Sequence, residues 1–182
     1  MFLQHKRSFQ IALGGIVCAL GLVSLMLTGF IPFATYSLPC IAGFLLVVVV
    51  VECGAKWAWV CYTATALLSL MITPDREAAI MYVAFFGYYP MIKQQLERRL
   101  KLVTEWVCKL AIFNVAVVAA YGITIYLLGM KELLQDMEGF GTFSLLFTLG
   151  LGNVVFILYD IAMTRILSLY LLVLRKKIFK RF

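Results

Sequence analysis

The sequence predicts an all-α, polytopic integral membrane protein, a six-helix bundle forming a single transmembrane domain over residues 1–182. Three observations predict it: an apolar excess, runs of spanning length, and charges held at the ends of those runs. Hydrophobic residues make up 64% of the chain and charged ones 14%, with mean hydropathy +0.99. A soluble domain carries about 45–50% apolar and about 25% charged residues. So much apolar surface exceeds what one small core hides, and its natural solvent is lipid.

A spanning helix needs about 20 apolar residues. The first run, about 9–30, follows the basic start His5-Lys6-Arg7. It is longer than a signal-peptide core and reads as a retained first span. Residues 31–39 hold Pro32 and Pro39 and read as a loop. The apolar stretch 40–72 would be roughly 50 Å long as one helix, against a hydrocarbon core of about 30 Å. Glu52, Gly54 and Lys56 interrupt it, so it divides into spans at about 38–53 and 55–72. Thr73 as N-cap, Pro74 at the first helical position and acids in the first turn open a fourth span, about 74–92. Gly87 and Pro90 predict a bend in it. Residues 93–101 read as a polar connector, 105–128 as the fifth span, 129–141 as a loop and 142–174 as a long sixth helix whose end tilts or projects.

Six spans put both termini on one side. That side then carries the basic ends, Lys56 and the 93–101 cations, whereas the other side carries only Arg76 and Lys131. By the positive-inside rule both termini face the cytoplasm of a cell-membrane protein. The net charge of +7 is thereby a topology signal against an anionic leaflet, and nucleic-acid binding is not expected.

No catalytic signature of the G-x-S-x-G, H-E-x-x-H, Walker A or G-x-G-x-x-G type occurs. The one histidine, His5, lies outside the spans, and the five cysteines form no C-x-x-C pair. A non-enzyme without metal or cofactor is therefore expected. Ionisable groups in spans deserve a functional reading by default. Glu52, Lys109, Asp160 and Arg165 all fall near the cytoplasmic boundary, where ion pairs joining the second, fifth and sixth helices compete with a coupling role facing a cytoplasmic partner and with a proton relay. At the outer end, Tyr36, Asp75, Arg76, Glu77, Tyr82, Tyr121, Tyr126 and Asn153 form a candidate substrate pocket with aromatic walls and few polar groups. The competing readings are interfacial tyrosine anchors, acids serving the helix dipole, and an interhelical bond at Asn153. On the first helix, Ala12, Gly15 and Ala19 give a small-x-x-x-small face, suited to internal packing or to a partner helix.

The layout, with Lys6-Arg7 leading into Ala12 and Gly15-x-x-x-Ala19 and about 180 residues in six short helices, resembles the substrate-binding S component of energy-coupling-factor vitamin transporters. The segment Pro74-Asp75-Arg76-Glu77 through Phe85-Phe86-Gly87-Tyr88-Tyr89-Pro90 to Lys93 is distinctive but points to no particular substrate. The resemblance implies uptake of a vitamin or precursor from outside. It also implies coupling through the first helix to a membrane T protein and two cytoplasmic ATPases. In that family the first-helix motif is Ala-x-x-x-Ala; here the pair is Gly15 and Ala19, or Ala12 and Ile16. The alternative is a non-catalytic six-helix scaffold or assembly protein of the cell envelope.

Overall fold

The computed structural model describes residues 2–31, 33–128 and 142–174, with side chains over 7–31, 33–125 and 149–172. All regular structure among them is helical. It comprises α1 (Phe2–Leu27), α2 (Ser37–Glu52), α3 (Ala55–Ile72), α4 (Arg76–Met81), a π-helical stretch Tyr82–Phe86, α5 (Tyr89–Arg99), α6 (Leu102–Leu128), α7 (Thr142–Leu169) and a second π-helical stretch Tyr170–Leu174. The chain falls into two compact units, Met1–Thr124 and Ile125–Phe182.

Four segments are long and apolar enough to cross a bilayer: Arg7–Leu27, Ala55–Ile72, Leu102–Ile125 and Leu149–Leu172. Helix α2 is as apolar but only 16 residues long. In the most apolar window of each long segment only 22–28% of residues are buried. Ile11, Val60, Leu67, Val115, Val118 and Leu158 are among the side chains left open. In water such faces would drive aggregation, so this is the surface of a membrane-embedded protein.

The division at Gly54 holds, and the backbone shows why. Gly54 has φ +87° and ψ 164°, a region open essentially to glycine alone. There the chain ends α2 and reverses into α3. Both helices pack on α1. Gly14 lets α1 approach α3, since a Cβ there would stand 3.0 Å from Cys61 Sγ. Val17, Leu25, Leu46, Val49, Ala58 and Tyr82 belong to the core among these elements.

The fourth helical region departs from expectation. Thr73 is not its N-cap: it ends α3, and Asp75 caps α4, its carboxylate accepting from the Ala78 N–H at 3.1 Å. Asp75 sits one residue before the first helical N–H groups and so reaches the donor that Thr73 cannot. The polar stretch 93–101 is not an irregular connector either. Helix α5 continues to Arg99, leaving only Leu100 and Lys101 before α6 opens at Leu102. Two Lys–Glu pairs at four-residue spacing, Lys93 with Glu97 and Glu105 with Lys109, support the helices on either side of that corner. The bend does occur: the helix widens to π geometry, breaks after Phe86 and restarts with Pro90 in the first turn of α5. The 129–141 loop and the basic tail from Arg175 lie outside the described residues.

The segment from α4 to α5 runs antiparallel to α6. Glu77 and Tyr121 share one polar cluster, while Glu97 and Lys109 share another. Lys109 and Tyr121 are 12 residues apart on α6, about 18 Å along its axis.

Candidate functional site

At one end of the first unit, three separate segments meet. Tyr36 is the residue before α2, Glu77 lies in the first turn of α4, and Tyr121 lies near the end of the described part of α6. The Tyr36 phenol donates to Glu77 Oε1 at 2.5 Å and lies 3.1 Å from the Tyr121 hydroxyl. Partial burial of the half-exposed Tyr36 phenol, then its bonds to Glu77 and Tyr121, raise its pKa above the usual phenol value. Tyr36 therefore remains a proton donor at any physiological pH. The group offers a carboxylate, two phenolic hydroxyls and two aromatic faces, and both Tyr36 and Glu77 are open enough to meet solutes. Such a set suits a small molecule presenting hydrogen-bond donors or a positive charge beside a flat apolar part.

The other predicted outer residues are placed differently. Asp75 is occupied as a cap. The exposed Arg76 guanidinium donates to the Leu70 carbonyl. Tyr82 lies in the core, 1% exposed, hydrogen-bonded to the Thr65 side chain and with its ring 6.1 Å from that of Tyr62. The Asn153 amide donates to Leu149 O, one turn back on its own helix, at 2.7 Å. Back-bonding of this kind is one way in which a polar group in a span is satisfied. The Tyr126 side chain lies outside the described residues.

Ala12, Gly15 and Ala19 all face outward, and a Cβ on Gly15 would meet nothing within 4 Å. Within the chain, α1 instead uses Gly14, Val17 and Gly21 to pack on α2 and α3. Among the described residues, packing of α1 on α2 and α3 thus uses other residues than these three.

Two features carried weaker sequence signals. The first is the ion-pair corner. Lys93 and Lys109 are almost fully buried, and both reach the same oxygen, Glu97 Oε1, at 2.9 and 3.0 Å. Lys109 also pairs with Glu105 at 2.7 Å and stands 5.2 Å from the Trp106 ring centroid. Buried ammonium groups are tolerated only when paired in this way. Lys109 is ion-paired, with Glu97 of α5 and Glu105 of α6 among its partners. The four-residue spacings were the available signal.

The second feature is aromatic. The π-helical stretch displaces carbonyls from their usual partners, and Tyr62 donates to one of them, Val83 O, at 2.8 Å. A groove of about 480 Å³ runs beside this stretch, lined by Ala84, Tyr88, Ala111, Ala116, Ala119 and Ile123 among others. It is apolar, and none of the predicted outer residues lines it.

Comparison with protein-family models, curated proteins and solved structures gave no match to this chain.

Proposed function

We propose that the chain is the membrane-embedded, substrate-binding subunit of an uptake system for a small molecule of the vitamin or precursor class. It is not itself an enzyme, and partner ATPases acting through a membrane T protein supply the energy. In this reading it crosses the cell membrane six times with both termini in the cytoplasm, as in the S components it resembles. The observation that carries the proposal is the convergence of Tyr36, Glu77 and Tyr121 from three separate segments. The positive-inside pattern assigns that end to the outside. A phenol held between a carboxylate and a second phenol is a recognition group rather than a packing group, because an apolar contact would join the same segments without a desolvation cost.

The antiparallel course of α4–α5 and α6, and the reversal at Gly54, support crossings by α2 and by the α4–α5 segment. The outward Ala12, Gly15 and Ala19 face supports a partner helix on α1, since small residues allow backbones to approach closely.

The test is a thermal-shift screen of purified protein against vitamins and their precursors, followed by titration of any hit. Glu77→Gln and Tyr36→Phe should each weaken binding about 10-fold or more, as loss of a hydrogen bond to a charged group costs about 1.5–3 kcal/mol. A screen without any hit, or a hit whose affinity neither change alters, overturns the reading. The open face on α1 equally favours a second reading, a cell-envelope scaffold. Cross-linking from Ala12→Cys in cells separates them: capture of a T-type protein supports transport, and capture of an envelope-synthesis protein supports the scaffold.

A further inference from the structure

Between residues 93 and 109 the chain carries five cations and two acids: Lys93, Arg98, Arg99, Lys101 and Lys109 against Glu97 and Glu105. Both acids are engaged by the two buried lysines. Arg98, Arg99 and Lys101 are exposed, and no ion pair joins them to any other described residue. The three cations cluster around the two-residue turn between α5 and α6. Directly after them Leu102 is 72%, Val103 75% and Val107 61% exposed. From Leu102 to Val107 the helix rises about 7.5 Å. A cationic turn without counter-charge is thus continuous with a bare apolar collar.

We propose that this α5–α6 corner is a binding surface for anionic phospholipid. Arg98, Arg99 and Lys101 take the phosphate-bearing headgroups, while Leu102, Val103 and Val107 contact the acyl chains below them. The argument is charge complementarity with depth. Three exposed cations without an ion-pair partner among the described residues attract an anion, and the collar favours one joined to hydrocarbon. A soluble anion meets only the first condition, and a zwitterionic lipid only the second. The Lys93–Glu97–Lys109–Glu105 group leaves the corner cationic, because both nearby acids, the exposed Glu97 included, are already ion-paired with the two buried lysines. Each such cation at an anionic membrane surface contributes about 1 kcal/mol, roughly a fivefold preference.

Trp106 reports on this corner, since Lys109 lies over its ring. Full-length protein with Trp57→Phe and Trp59→Phe is reconstituted in phosphatidylcholine nanodiscs containing phosphatidylglycerol, with bromine on the chains of one lipid or the other. The expected result is stronger quenching of Trp106 by brominated phosphatidylglycerol than by brominated phosphatidylcholine at equal mole fraction. That corresponds to at least roughly fivefold enrichment at low salt, falling as salt rises. Arg98→Gln/Arg99→Gln/Lys101→Gln should abolish the difference, whereas Lys56→Gln, an exposed cation at the α2–α3 turn, should leave it unchanged. Arg98→Lys/Arg99→Lys should retain most of it, showing that charge and not fold is read. Equal quenching by the two lipids, or a triple variant that keeps the preference, overturns the proposal. So does inorganic phosphate in lipid-free detergent protecting the corner as well as phosphatidylglycerol does, because that identifies a free-anion site.

Discussion

Gly87 shows how one missing side chain organises the centre of the first unit. A Cβ there would lie 2.6 Å from two carbons of the Tyr62 ring and 2.9 Å from Tyr82 Cζ. Without it, the Tyr62 ring comes close to the break and its hydroxyl reaches Val83 O. Gly87→Ala gains helix propensity of about 1 kcal/mol but forces two rings and a hydrogen bond to shift. Overpacking of this kind costs about 1–3 kcal/mol, so the steric effect wins. A lower midpoint of thermal unfolding in detergent is expected, and an unchanged or higher midpoint would contradict this packing. Gly15→Ala is the control, since no atom lies within 4 Å of the added carbon. Thr73 presents the opposite case. Its hydroxyl is buried and has no hydrogen-bond partner among the described residues, and a group left so costs about 1–3 kcal/mol. Thr73→Val keeps the shape and removes the cost, so the unfolding midpoint should rise. A fall would mean that the hydroxyl has a partner worth keeping.

At the scale of elements, the sequence was most legible where a backbone demand leaves few residue choices. Gly54 between two apolar runs marked the α2–α3 reversal correctly, because its conformation is closed to other residues. Gly54→Ala should therefore cost about 1–3 kcal/mol, read as a lower unfolding midpoint without a change in helical circular dichroism. A neutral outcome would mean that the turn tolerates another geometry. Legibility was poorer where two residues compete for one role. Thr73 and Asp75 are both good caps, and spacing alone does not reveal which reaches a free N–H. The polar run after Ile92 looked like a loop because hydropathy falls there, yet charge pairs at helical spacing keep it helical to Arg99. Of the outer residues, Tyr36, Glu77 and Tyr121 were named from sidedness and do meet. Tyr82 was named by the same logic, but depth within the bundle is a tertiary property. Its face of the helix packs inward, and a π-helical stretch shifts the angular register on which such reasoning depends.

For the whole molecule, the proposed uptake role rests on which end of the bundle faces out. Tyr36 and Glu77 meet across the first and third connections, so those two connections share an end, and the Glu97–Lys109 corner belongs to the other end of α6. The positive-inside rule orients this arrangement, because Arg98, Arg99 and Lys101 accompany the second end while Arg76 is the only arginine or lysine in residues 72–82 at the first. Single cysteines placed in a background lacking Cys18, Cys40, Cys53, Cys61 and Cys108 test the assignment directly. Arg76→Cys should react with an impermeant maleimide on intact cells, whereas Ser8→Cys and Gln95→Cys should react only after lysis. All three positions are exposed, so differences in labelling report sidedness rather than burial. Reaction of Ser8→Cys or Gln95→Cys from outside would invert the bundle. Tyr36, Glu77 and Tyr121 would then face the cytoplasm, and uptake from the exterior through that cluster would be untenable.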